Sequence, residues 1–202
     1  MKKINTAKEY PLDTPEIAKQ IQKDLMAILE EHRQLVQHID FLQVAKAIPL
    51  IRSAYRIFVY GAGRSGLALK AAAMRYMHFG FKVYVVGETT TPAIRIGDLL
   101  IVGSGSGRTS TIVHAAEVAA RESAQVLAFS TTDDSPLSKI ANYTILLPAA
   151  QKTDHHNQVS HQYAGSLFEQ SLLLINDAII QTLWRLDGSS AEQLWKSHAN
   201  LE

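Results

Sequence analysis

Two stretches of the chain are dense in residue types that hold small anions. Gly61, Ala62, Gly63, Arg64, Ser65 and Gly66 follow a short β-branched run and open an alanine-rich segment. Residues 103–110 (GSGSGRTS) do the same after another apolar run. Glycines let the backbone turn sharply and approach a ligand closely, and a helix starting there offers free N–H groups and the positive end of its dipole. Side-chain donors surround Gly63, Gly105 and Gly107: Arg64 and Ser65 in the first loop, Ser104, Ser106, Arg108 and Thr109 in the second. The first loop also satisfies G-x-G-x-x-G, with Glu88 as a candidate ribose-binding acid, so by itself it leaves a dinucleotide site open. The second loop points elsewhere. Its glycines and hydroxyls make a nest of donors with no apolar floor for an adenine or nicotinamide ring, which suits a small phosphorylated polyol and no bound cofactor.

The titratable residues say less when taken singly. Glu169 stands near the start of a long apolar segment, where an acid suits the helix dipole and equally suits proton transfer. His78 closes the helix that starts at Arg64, and reads either as a partner for the terminal carbonyls or as a working imidazole. His155, His156 and His161 lie in QKTDHHNQVSHQ (151–162) at a spacing that matches no helical zinc pair, so no metal is expected. That stretch reads as a polar loop, a lid ahead of Glu169. The chain has no cysteine, which excludes a disulfide framework, thiolate metal ligation and a thiol nucleophile. Trp184 and Trp195 read as packing residues, and His198 receives no role.

These side chains need a frame, and the apolar pattern supplies one. With 47% hydrophobic and 19% charged residues among 202, the chain suits a single well-packed core. A formal net charge of +1 gives no global field for nucleic acid or a membrane surface. No apolar run follows the N-terminal lysines and none approaches membrane-spanning length, so a cytoplasmic protein is expected. Asp13 or Thr14, Pro15 and Glu16 signal a helix start, and Ile17, Ile21, Leu25, Ile28, Leu29, Leu35 and Val36 continue at helical spacing. Pro49 predicts a break near Ile48 in the next helical stretch, 41–52. The runs 56–60, 82–86, 99–102, 125–129 and 143–147 read as strands, most of them separated by helical segments such as 64–79 and 110–122. The pattern predicts an α/β fold: a three-layer αβα sandwich with a five-stranded parallel sheet, preceded by N-terminal helices. Residues 1–54 form the helical segment packing on the core, and 55–202 the core itself. A helix over 165–186, a C-cap at Gly188 and a last helix from Ser190 complete the chain.

In order, GAGRSG (61–66), VGETTTP (86–92), GSGSGRT (103–109), GSLFEQ (165–170) and HANLE (198–202) resemble the motif series of the 6-phospho-3-hexuloisomerases. These are enzymes of the sugar isomerase (SIS) domain class. The resemblance runs from about residue 57 to the C-terminus. It implies a flavodoxin-like SIS domain and cofactor-free interconversion of 3-hexulose 6-phosphate and fructose 6-phosphate, as in the ribulose monophosphate pathway. It also implies a homotetramer with sites near subunit boundaries. Ser65 and the loop from Ser104 to Thr109 would then hold the sugar phosphate, with Glu169 and His78 as the acid–base pair. His78 lies at the far end of its helix from Ser65, which implies a site completed by a neighbouring subunit. Arabinose 5-phosphate or phosphoheptose isomerases and a non-catalytic sugar-phosphate sensor are the rivals. The first fifty residues show no helix-turn-helix pattern with a basic recognition helix.

Overall fold

The computed structural model describes residues 13–151 and 160–201. Three helices come first: α1 (Thr14–Gln37), α2 (Phe41–Lys46) and α3 (Ile48–Ser53). Asp13 caps α1 by accepting from the Glu16 N–H at 2.9 Å, while Glu16 accepts from the Asp13 N–H, a reciprocal capping box. The break expected from Pro49 falls at Ala47, because a residue without an N–H cannot carry the helical ladder across.

Five strands and five helices follow: β1 (Ile57–Gly61), α4 (Gly63–His78), β2 (Val83–Val85), β3 (Leu99–Gly103), α5 (Ser110–Arg121), β4 (Gln125–Ser130), α6 (Pro136–Ile140), β5 (Tyr143–Leu146), α7 (Ser166–Asp187) and α8 (Ala191–Trp195). All pairings are parallel and the spatial order is β2-β1-β3-β4-β5. Alternate strand residues feed two cores. Ile57, Val59, Ile101 and Phe129 pack under α4 and α7, together with Leu35, Val44 and Ile51 from the N-terminal helices. Phe58, Leu100, Val102 and Ala128 pack on the opposite face with Ile112, Ala116 and Leu137 of α5 and α6. Burial on both faces is why the strands read as unbroken apolar runs. The one-turn α6 was not anticipated. It rests on a second capping box, between Ser135 and Ser138, in a stretch too short to show helical periodicity.

The register places the site. β1 leads to β2 on one side of itself and lies beside β3 on the other, so the β1–β3 boundary is where strand order reverses. Across that boundary Gly61 is paired with Gly103. The two glycine-rich loops therefore leave the sheet side by side.

Candidate active site

The first loop is tight because β1 and α4 cross at contact distance. A Cβ on Gly61 would lie 2.8 Å from the Gly66 nitrogen, and one on Gly66 would run into the Gly61 carbonyl. The outer glycines of the G-x-G-x-x-G pattern are thus explained by the strand–helix crossing itself. Ser65, in the first turn of α4, is buried and faces the cleft.

The second loop is braced from β4. The Gly105 carbonyl accepts from the Thr131 N–H at 3.0 Å, the Thr131 hydroxyl at 2.8 Å and the Ser130 hydroxyl at 3.1 Å. Ser104 and Thr109 share a hydroxyl–hydroxyl hydrogen bond of 2.9 Å across the loop. Gly107 has φ +60° and packs against Ser135, leaving no room for a side chain. Arg108 is exposed and turns away, donating to the Asp134 carbonyl at 3.2 Å. Gly63, Ser65, Ser104, Gly105, Ser106 and Thr109 line one wall of a cleft of about 260 Å³; Gly107 and Arg108 do not.

The opposite wall comes from Ala150, Gln151, Gly165 and Phe168. α7 comes close because Gly103 leaves its Cβ position to Leu172, whose Cδ2 would lie 2.6 Å from an added Cβ. One turn earlier on the same helix, Glu169 is only 6% exposed, and its Oε2 lies 3.0 Å from Arg64 Nε. A carboxylate buried this far is held by partners, and one of them is Arg64 in the first turn of α4. Ser65 and the second loop thus share the cleft at the switch point, while Arg64 and Glu169 pair with each other next to lining residues Gly63, Ser65 and Phe168 without lining the cleft themselves. Sequence reading missed Phe168, Gly165, Ala150 and Gln151 as lining residues. The first two sit inside the GSLFEQ run, and adjacency to Glu169 was their signal.

His78 is elsewhere. It ends α4 thirteen residues after Ser65, roughly 20 Å along the helix axis. The terminal carbonyls of α4 are taken by the N–H groups of Phe79, Gly80 and Phe81, not by the imidazole. Instead His78 stacks on His198 with ring centroids 3.9 Å apart, and His198 stacks on Trp195 at 4.4 Å. Neither Nδ1 has a hydrogen-bond partner among the described residues. A second cavity, about 470 Å³, adjoins the stack and is lined also by Arg75, Asp177, Gln181 and Trp184. Burial, and then the positive character of His198 and Arg75, hold the His78 imidazole below its ordinary pKa. Glu88 is exposed and paired with Lys70 at 3.0 Å, outside the cleft. His155, His156 and most of the expected lid lie outside the described residues, as does Glu202. Among the described residues no group of three His, Asp or Glu side chains is placed to hold a metal ion.

A parallel sheet of this order, with its site at the switch point, is the flavodoxin-like form of the doubly wound α/β class, and within that class the SIS-domain family model matches residues 50–174. The relatives narrow this. The 3-hexulose-6-phosphate isomerase of Mycobacterium gastri is 50% identical over 182 residues, covering 90% of this chain and 92% of that protein. That of Bacillus subtilis is 40% identical, covering 87% and 95%. A Methanococcus jannaschii crystal structure, for which the molecular function of a 3-hexulose-6-phosphate isomerase was inferred, superposes with a TM-score of 0.77 at 30% identity. It covers 89% of this chain and 99% of that one. The chain belongs to the SIS-domain family and, within it, to the 3-hexulose-6-phosphate isomerases.

Proposed function

We propose that this protein interconverts 3-hexulose 6-phosphate and fructose 6-phosphate through a C2–C3 enediol, with Glu169 carrying the proton. The observation that carries the reading is the buried Glu169 carboxylate, tethered to Arg64, beside a cleft floored by the two loops. Ser65, Ser104, Ser106 and Thr109, with the backbone N–H groups of Gly63 and Gly105, provide donors for the phosphate. In the direction of fructose 6-phosphate, Glu169 takes the C2 proton while the C3 carbonyl oxygen gains a proton from solvent to give the enediol, and the same carboxyl then returns its proton to C3 as the O2 proton is released to solvent. No electrons are gained or lost overall, so the reaction requires no redox cofactor. Arg64 orients the carboxylate. Gly107 serves the loop's shape, and Arg108 steers anions from outside.

His78 enters this reading as a second acid–base group acting in a neighbouring subunit's cleft. Assembly is supported by exposed apolar residues, Ile21, Leu25, Met26 and Leu29 on α1, and by Leu67 and Met74 on the outer face of the helix that ends at His78. A homotetramer in the cytoplasm, acting in the ribulose monophosphate pathway, is the full form of the proposal. No described helix is long and apolar enough to cross a membrane. The test follows fructose 6-phosphate formation from 3-hexulose 6-phosphate, with chelator present, by wild type and Glu169→Gln. A loss of about 100-fold or more in kcat with little change in KM is expected for removal of the proton carrier. Equal rates would remove Glu169 from the chemistry.

A further inference from the structure

Glu31, in the C-terminal third of α1, belongs to neither loop and lies outside the cleft. Its carboxylate nevertheless gathers the chain that leads into α7. Oε2 accepts from the Ser160 hydroxyl at 2.7 Å and from Gln162 Nε2 at 2.9 Å, and Oε1 accepts from the His161 N–H at 2.8 Å. Ser160 is itself buried. The next residue of α1 reaches the other side of Glu169: His32 Nε2 donates to Gln170 Oε1 at 2.9 Å, and the Ser171 hydroxyl donates to His32 Nδ1 at 3.3 Å. Two consecutive α1 residues therefore grip the chain before and after the proton carrier. Burial alone would raise the Glu31 pKa. The three hydrogen bonds outweigh it and hold the group below the usual carboxylate range.

Leu167 and Phe168 pack the first turn of α7 into the core and Glu169 pairs with Arg64, but the entry to that turn has no side-chain cap. Gly165 is its N-cap without a side-chain capping bond, and Ala164 before it has φ +53°, a strained conformation for a residue with a Cβ. Charge-assisted hydrogen bonds to a carboxylate are among the stronger polar contacts available, and here three converge just upstream of that strained entry.

We infer that Glu31 is a positioning residue for the isomerisation: it fixes residues 160–162 and thereby sets where Glu169 stands against the cleft. The inference rests on the reading of Glu169 as proton carrier. It predicts a particular kinetic split, because Glu31 holds residues 160–162, which lead into α7, and bonds to neither glycine-rich loop. Glu31→Gln lowers kcat about 10-fold per mole of folded protein, while KM for the sugar phosphate changes less than about 3-fold. Ser160→Ala gives a smaller loss, and the double variant loses less than the product of the two, since both act through one contact.

Hydrogen exchange measured on the intact protein separates this inference from the isomerase reading. Amides over 160–172 exchange faster in Glu31→Gln, and those of 61–66 and 103–109 do not change. Unchanged exchange over 160–172 overturns the anchoring whatever the substrate. Faster exchange with wild-type kcat reduces Glu31 to a structural latch and overturns the positioning role. Should wild type fail to turn over 3-hexulose 6-phosphate, the isomerase reading falls, and with it the positioning role of Glu31.

Discussion

Residue by residue, the loops were more legible than the acids and bases. Ser65, Ser104, Ser106 and Thr109 stand where turn chemistry and helix starts say donors must stand, because both are local properties of the chain. Gly107 and Arg108 show the limit of that logic. Each follows the same pattern of glycine and donor, yet one fills a contact with Ser135 and the other leans on Asp134, partners more than twenty residues away. Glu169 was singled out by motif and not by physics, since its pairing with Arg64 of α4 spans more than a hundred residues of sequence. His78 carries a prediction of its own. A histidine with a lowered pKa binds its proton more readily when unfolded, so its stabilising contribution is complete above about pH 6.5 and is lost as pH falls through the folded value. Thermal melts should therefore drop between pH 7.5 and 5.5, and His78→Phe, which keeps an aromatic ring on His198, should shrink that drop. An unchanged drop would show that other groups set the acid limb.

At the level of elements, strands and long helices were readable to within a residue or two because burial on both faces and capping signals are written locally. Registers were not. That Gly61 pairs with Gly103 depends on β2 and β3 taking opposite sides of β1, a fact of topology that no window of sequence holds. The close crossing of β1 and α4 leaves no room for a Cβ at Gly61 or Gly66. Gly66→Ala forces a methyl group against the Gly61 carbonyl, and overpacking of this kind costs about 1–3 kcal/mol. Urea unfolding should show a lower midpoint at unchanged slope, and weaker protection by fructose 6-phosphate, because Ser65 shares that turn. A neutral Gly66→Ala would mean that α4 slides freely on β1.

For the whole molecule, the proposed assembly concerns the outer face of α1 and the far end of α4. Ile21, Leu25 and Leu29 are each more than half exposed, and the His78 stack opens onto a cavity with no phosphate loop of its own. The proposed assembly would cover the first and bring the second to a neighbour's cleft. Leu25→Asp with Leu29→Asp should shift the sedimentation of the protein towards the monomer and lower turnover. An assembly that survives the pair would place its interface elsewhere.

The central claim is the proton transfer between C2 and C3, and deuterium exchange tests it most directly. Wild-type protein is held at equilibrium with fructose 6-phosphate in D2O and followed by proton NMR, beside Glu169→Gln. The account predicts that deuterium accumulates at C3 over many turnovers with wild type, that C1 keeps its protons, and that the variant leaves C3 protonated on the same time scale. Label at C1, or a C3 position that stays protonated while 3-hexulose 6-phosphate forms, would contradict it.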